Sequence, residues 1–226
     1  MYNTDISAIF DFNGTILFDK KLHDEAWKQY IEELAPVSIS SDDVDQWISG
    51  RSPKFILEHF LGYELNDNMV FQLSGEKERI YRSLLVKQDL PLSPGVEEFF
   101  NFLLLAQIKR AIITTAHIEN VNLYFERYNL EKWFKWEDII IGSSSNSTPD
   151  LYKAAIKKID MPADKIVVFE DSDIGTASAE AAGISHIIGI TGDSHNRKII
   201  EHPGVMACVE YFTELPSIEV YGRMYP

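Results

Sequence analysis

Two sets of acidic residues directly follow short apolar runs at widely separated points of the sequence. Asp11 comes after the run SAIF, and Glu170 with Asp171 come after the run IVVF. Carboxylates bind hard cations such as Mg²⁺, and a carboxylate can also act as a nucleophile toward phosphorus. Because an aspartate with an ordinary pKa of about 3.9 is already ionised at neutral pH, it needs no general base for that attack. These three acids are therefore candidates for a metal-assisted site.

The apolar runs that precede the acids belong to a series that predicts the strands of a parallel sheet. The runs are compact and nearly continuous in apolar residues, as expected of strands covered on both faces, and they lie at 6–10, 111–114, 138–141, 166–169 and 186–190. Patterns with helical spacing separate them, at 93–106, 118–130, 149–159 and 176–184. This alternation predicts an α/β core with an open parallel, Rossmann-like sheet.

Polar residues follow four of these predicted strands. They are Asp11, Thr114, the Ser-rich loop 142–149, and the pair Glu170 and Asp171. Since ligands of open parallel sheets bind beyond the carboxyl ends of the strands, we expect these residues to converge on one site.

The segment 17–88 differs from the rest of the chain because it carries helical patterns and little strand signal. Three apolar stripes fall within 22–34, 55–60 and 80–85, with Gly and Pro punctuation at Pro36, Gly50, Pro53, Gly62 and Gly75. We interpret this segment as a small α-helical domain inserted after the first strand. The core domain would then comprise 1–16 and 89–226.

Composition is typical of a globular protein and disfavours two classes of partner. Apolar residues make up 45% of the 226 residues, and the formal net charge of −14 disfavours nucleic acid and anionic membranes as partners. The single cysteine, Cys208, excludes an internal disulfide and is typical of a reducing cytoplasm. The start, MYNTDIS, lacks the features of a secretory signal, and the apolar run FFNFLLLAQI is too short to span a bilayer. We expect a cytoplasmic protein that is a monomer or a weak homo-oligomer.

Four stretches of the sequence resemble the motifs of the haloacid dehalogenase superfamily, and within it the β-phosphoglucomutase-like group. AIFDFNGT resembles the strand and DxDGT motif, AIITTAHIEN the second motif, and IVVFEDSDIGTASAEAAGI the fourth motif with its acidic pair. LSPGVEEFF resembles the linker and helix that lead back into the core. Within the insert, KLHDEAW and ISGRSPKFILEHFLG look like the first helix and the substrate-facing stretch of the group's helical cap.

The resemblance implies a Mg²⁺-dependent hydrolase of small phosphorylated metabolites, a phosphoric monoester hydrolase that works through an aspartyl-phosphate. Asp11 would be the nucleophile and a Mg²⁺ ligand, and the backbone carbonyl of Asn13 would be a further ligand. Asp171 would bind the metal directly, with Glu170 as a ligand or as its supporting neighbour. Thr114 would hold a phosphate oxygen.

The resemblance also implies a set of substrate-binding positions. In the core these are Gly14, Thr15 and Thr115, and in the cap they are His23 and Arg51. Gly14 would permit the tight turn that folds the loop around a phosphate group.

Two positions depart from the family pattern. Asn13 stands where the family has the aspartate that serves as general acid and base, a function that contributes about 10²–10⁴-fold to rate. Asn146 stands where the third motif has a lysine that offsets the charge of the phosphate, and we keep it among the substrate-binding positions. An amide at position 13 argues against mutase activity more strongly than against slow hydrolysis, because a mutase needs proton transfer in both directions.

Two alternatives stay open at this point. The departures at Asn13 and Asn146 favour a catalytically impaired relative that binds a phosphorylated ligand or a partner. A metal-independent dehalogenase would use the same aspartate nucleophile, but the adjacent acids Glu170 and Asp171 speak against it because they would repel each other without a cation.

Overall fold

The computed structural model describes residues 6–142, 148–192 and 197–215. These residues form two compact units, of which one is Asp19–Leu90 and the other contains the described residues on either side of it. The sequence interpretation placed the inserted helical domain at 17–88. Its action as a cap stays a prediction.

The larger unit is built on a parallel sheet in the order β3-β2-β1-β4-β5-β6. Within the described residues its strands are β1 (Ser7–Asp11), β2 (Lys109–Thr114), β3 (Ile139–Ile141), β4 (Ile166–Glu170), β5 (His186–Ile190) and β6 (Val205–Val209). The predicted open, parallel α/β sheet is confirmed. Strand β6 was not predicted; it lies at the sheet edge and stays partly exposed.

Crossover helices connect the strands. They are α5 (Val96–Leu105), α6 (Ile118–Arg127), α7 (Thr148–Ile159), α8 (Asp173–Ala181) and α9 (Arg197–Glu201). Helix α8 is followed by Gly183 with a φ of +92°, the left-handed conformation that commonly stops a helix.

Strand β1 is central and is covered on both faces. Successive side chains of a strand point to opposite faces, so Ile9 and Phe10 enter different halves of the core, and both are fully buried. Phe10 stacks on Phe169 with ring centroids 4.8 Å apart and meets the edge of Phe100 at 5.1 Å. Ile9 belongs to a cluster on the other face that includes Tyr152 of α7. This two-sided packing fixes the position of Asp11 at the end of the strand.

The unit Asp19–Leu90 is helical, as the sequence predicts. It contains α1 (Lys20–Leu34), α2 (Ser41–Asp43) continuing into a π-helical turn (Val44–Ile48), α3 (Pro53–Leu61) and α4 (Asp67–Lys87). The punctuation expected at Gly75 was wrong, because α4 runs through it. Glycine inside a helix costs about 1 kcal/mol relative to alanine, a cost that tertiary packing can outweigh, and Tyr81 and Leu85 of α4 are fully buried.

Across the described residues, we find no helix with both the length and the apolar character needed to cross a membrane.

Candidate active site

The site lies at the switch point of the sheet. From β1 the chain proceeds through β2 to β3 on one side, and it then returns to β4 on the other side of β1 and proceeds to β6. Strand β1 pairs with β2 on one side and with β4 on the other, so the carboxyl ends of all three are neighbours. Asp11 is paired in register with Ile113, the residue before Thr114, and Phe10 is paired with Phe169, the residue before Glu170. Such a switch point is the place where open α/β sheets bind their ligands.

Three carboxylates meet at this point, as the sequence analysis expected. One oxygen from each of Asp11, Glu170 and Asp171 lies within 4.8 Å of the others. Like charges at this distance disfavour simultaneous ionisation unless a proton or a cation lies between them. Carboxylate oxygens are also the ligands that Mg²⁺ prefers. The residues present therefore fit a Mg²⁺ ion, which would be held by these acids and would offset their charge.

The surroundings of Asp11 and Glu170 raise the pKa values of both acids. Burial raises the pKa of Asp11 well above its ordinary value, and the charges of Glu170 and Asp171 raise it further. The backbone N–H of Phe12 and the buried Thr15 hydroxyl act in the opposite direction, although this hydroxyl reaches full hydrogen-bond geometry with none of the described residues. Burial also raises the pKa of Glu170. Without a cation, the cluster therefore tends to retain protons.

Glu170 is held on both of its carboxylate oxygens. The Tyr152 hydroxyl donates a hydrogen bond to Oε1 at 3.1 Å, while the backbone N–H and the hydroxyl of Ser172 donate to Oε2 at 2.8 and 3.0 Å. Helix α8 also approaches closely, since a Cβ at Gly175 would overlap the Glu170 carboxylate. Burial raises the pKa of Tyr152 well above its ordinary value, with Glu170 adding to the rise, so the hydroxyl keeps its proton and remains a donor.

The loop after β1 brings its backbone close to Asp171. Gly14 has a φ of +88°, and its N–H donates to the Leu17 carbonyl at 2.8 Å, which closes a tight turn. A side chain at this position would also collide with the Asp171 carboxylate. Glycine is required here for two independent reasons, the positive φ and the close approach of an acid.

Asn13 is fixed by two residues of neighbouring elements. Its Nδ2 donates to the Tyr124 hydroxyl at 3.1 Å, and the Thr114 hydroxyl lies 3.5 Å from its Oδ1. The Thr114 hydroxyl also accepts a hydrogen bond from the backbone N–H of Ala116 at 3.1 Å. Tyr124 is almost fully buried and stacks on Phe12 with ring centroids 4.5 Å apart. Asn13 and Thr114 thus lie together, as the sequence analysis expected.

The other predicted substrate-binding residues have different surroundings. Thr15 is fully buried, and Thr115 is exposed just beyond the end of β2. Asn146 lies outside the described residues. The role of each in substrate binding stays a prediction.

His23 and Arg51 belong to the helical unit, and both have partners within it. The His23 ring stacks on Tyr81 at 4.0 Å, with Nδ1 3.0 Å from Nζ of Lys77 and Nε2 3.4 Å from the Asp19 carboxylate. Arg51 is exposed and lies over the Phe55 ring at 5.4 Å. Their contact with a substrate stays a prediction.

Sequence reasoning missed three residues that contact side chains of the site. Tyr152 and Tyr124 lie on helical apolar stripes, where a tyrosine is most simply a packing residue, and nothing in the sequence shows where its hydroxyl points. Ser172 follows the acidic pair and is the N-cap of α8, accepting from the backbone N–H of Gly175 at 3.0 Å. Its place before a helix is a signal that could have identified it as a cap.

Comparison with known proteins agrees with the fold. The family model described as haloacid dehalogenase-like hydrolase matches residues 7–183. The chain therefore belongs to the haloacid dehalogenase-like hydrolases, and it is an enzyme of that class.

Individual relatives resemble nearly the whole chain. A "Phosphorylated carbohydrates phosphatase" of Thermotoga maritima is 25% identical over 211 residues, which cover 90% of this chain and 94% of the relative. The crystal structure of a family IA, variant 3 hydrolase from Entamoeba histolytica is 31% identical and covers 95% of this chain and 96% of its own, with a TM-score of 0.88. CbbY from Rhodobacter sphaeroides, solved with xylulose-1,5-bisphosphate, shares the fold at 22% identity, with coverage of 92% and 95% and a TM-score of 0.75.

Replacing Tyr152 by phenylalanine should weaken Mg²⁺ binding about 10–100-fold, the usual effect of removing a hydrogen-bond partner of a metal-binding carboxylate. The ring would still fill its buried place, while Oε1 of Glu170 would lose its donor. Isothermal titration calorimetry with MgCl₂ measures this affinity. Tyr63→Phe, at an exposed position of the helical unit, is the matched control. Equal affinities in all three proteins would contradict the role of Tyr152.

Replacing Asp11 by asparagine should stabilise the metal-free protein at neutral pH. An acid whose pKa is higher in the folded than in the unfolded chain contributes stability while it is protonated. This stability is lost as the pH rises from the pKa of an aspartate in the unfolded chain, about 3.9, through the raised pKa of Asp11 in the folded chain. Asparagine does not ionise, so the variant does not lose stability in this way. Saturating Mg²⁺ should reduce the difference in the free energy of unfolding between wild type and Asp11→Asn. Urea unfolding in EDTA across pH measures the effect; a variant less stable than wild type at every pH would refute it.

Proposed function

We propose that the chain is a Mg²⁺-dependent phosphatase of small phosphorylated metabolites, phosphorylated sugars among them, that acts through an aspartyl-phosphate on Asp11. The observation that carries this proposal is the convergence of Asp11, Glu170 and Asp171 at the carboxyl ends of β1 and β4. The family to which the chain belongs supports the reaction class.

The proposed reaction has two steps, both centred on Asp11. A carboxylate oxygen of Asp11 attacks phosphorus, and the bond to the leaving oxygen breaks. Water then attacks the phosphorus of the aspartyl-phosphate and releases inorganic phosphate. Because Asp11 ends a strand packed on both faces, its carboxylate is positioned before the substrate arrives.

Mg²⁺, held by Asp11, Asp171 and the backbone carbonyl of Asn13, would supply positive charge next to the transferring phosphoryl group. Glu170, whose two oxygens are oriented by Tyr152 and Ser172, would be a further ligand. Thr114 would donate a hydrogen bond from its hydroxyl to a phosphate oxygen.

Phosphorylated sugars are the substrates that the comparisons favour. The Thermotoga relative carries the name of a phosphorylated carbohydrates phosphatase and aligns over most of both chains. Arg51, an exposed cation, and His23 are the residues of the helical unit that we propose for substrate binding. The net charge of −14 supports a small-molecule enzyme rather than a nucleic-acid or membrane binder. We also propose that the protein is cytoplasmic and is a monomer or a weak homo-oligomer.

A second candidate is a relative that binds a phosphorylated ligand or a partner without turnover. The geometry of Asn13 favours it, because this amide is held at the site by Tyr124 and Thr114 and has no proton to transfer.

Incubation with Mg²⁺ and a panel of sugar phosphates, acyl phosphates and nucleotides should release phosphate from at least one substrate. Asp11→Asn should abolish this release because it removes the nucleophile, and EDTA should also abolish it. A dye assay for inorganic phosphate measures the rates. Equal release by wild type and Asp11→Asn on every substrate would refute the proposal. Calorimetric binding of a phosphometabolite without turnover would instead support the second candidate.

A further inference from the structure

The amide of Asn13 lies between two hydroxyls at the edge of the sheet where the acids meet. Its nitrogen donates to the Tyr124 hydroxyl and its oxygen faces the Thr114 hydroxyl, at 3.1 and 3.5 Å. Tyr124 is 1% exposed and stacked on Phe12, so neither partner of the amide is loose. The position two residues after the nucleophile is therefore occupied by a fixed group that can neither give nor take a proton at neutral pH.

This fixed amide makes the first step depend on the leaving group. Breaking the P–O bond of an alkyl phosphate expels an alkoxide, a strong base that needs a proton as it departs. An acyl phosphate expels a carboxylate, and an activated aryl phosphate expels a phenolate. These leaving groups are weak bases and depart without a proton.

The same amide affects the second step. The water that attacks the aspartyl-phosphate must lose a proton as its bond to phosphorus forms, and a carboxylate beside it would accept that proton. Asn13 cannot accept it. Hydrolysis of the phosphorylated Asp11 is then slow relative to its formation from a good phosphoryl donor.

We propose that the chain takes phosphoryl groups preferentially from donors with weakly basic leaving oxygens, acyl phosphates above all, and retains them as a persistent aspartyl-phosphate. This inference rests on the proposed function, since it uses the same nucleophile, Asp11. The bond from an Asp11 oxygen to phosphorus forms as the bond to the acyl oxygen breaks, and the carboxylate leaves with the electron pair. Water later forms a new P–O bond, Asp11 regains its carboxylate, and the proton of the water passes to solvent.

The pocket around Asn13 is suited to a matched variant. A tyrosine hydroxyl can donate as well as accept. An aspartate has nearly the shape of an asparagine, and in Asn13→Asp the Tyr124 and Thr114 hydroxyls would lie next to its side-chain oxygens. This variant restores a proton-transfer group at the same position.

Leaving-group dependence is measured with 4-nitrophenyl phosphate and phenyl phosphate, which differ in the basicity of the leaving oxygen more than in shape. Wild type with Mg²⁺ should strongly prefer the nitro compound in kcat/KM. Asn13→Asp should gain about 10²–10⁴-fold on phenyl phosphate and much less on the nitro compound, so that the preference shrinks. Equal kcat/KM values of wild type for the two esters would overturn the inferred preference for weakly basic leaving oxygens.

The aspartyl-phosphate is first detected on wild type, so its detection does not depend on how a variant folds. After mixing with acetyl phosphate and Mg²⁺ and quenching in acid, the intact mass should show one added phosphoryl group that maps to Asp11. Asp11→Asn should show none. After removal of the donor, the adduct should decay about 10²–10⁴-fold faster in Asn13→Asp than in wild type.

The outcomes separate this inference from the proposed function. Steady release of phosphate from a sugar phosphate, without an initial burst or a detectable adduct, would overturn the inference and leave the phosphatase proposal intact. Absence of both adduct and turnover with acyl, aryl and sugar phosphates would overturn both. Equal decay of the adduct in wild type and in a folded Asn13→Asp would assign its persistence to something other than Asn13 and would also overturn the inference.

Discussion

The mutual repulsion of three carboxylates is the constraint on which the rest of the site depends. Asp11, Glu170 and Asp171 offer oxygens within 4.8 Å of one another, at the end of a strand that is buried on both faces. Burial and proximity both disfavour the charged forms. The folded chain therefore needs protons or a cation at this place, and the proposed affinity for Mg²⁺ would follow from the unfavourable arrangement of the acids. Three close carboxylates lower the stability of the folded state, and a conflict of this kind between function and stability is common in enzymes.

Hydrogen bonds and two glycines, which have no side chain, fix this arrangement. Glu170 receives donors from Tyr152 and Ser172, which partly compensate for its burial. Gly14 and Gly175 leave room for carboxylates that a Cβ would displace. Both glycines lie in segments next to the acids in space, although they are distant from some of them in the sequence. The loop after β1 and the start of α8 thus form two walls of one acidic site.

In the proposed reaction, Asn13 would separate the transfer of a phosphoryl group from the movement of protons. The acids and Thr114 would supply the nucleophile and the electrostatic environment, and neither of these would depend on the side chain at position 13. Proton transfer would depend on it. On this proposal, the chain would retain the elements for attack on phosphorus while holding an amide where the family pattern has an acid.

Sequence alone determined the parallel α/β sheet, the helical insert and the two acidic strand ends, because each of these has a local signal in apolar periodicity or in the residue that follows a strand. The edge strand β6 was missed because it is only partly buried and lies at the margin of the sheet. Only the tertiary structure decided that Tyr152 holds Glu170 and that Tyr124 holds Asn13. Both tyrosines lie on helices more than ten residues from their partners. The direction of a buried hydroxyl depends on how those helices pack against the sheet, and no spacing within the sequence encodes that packing.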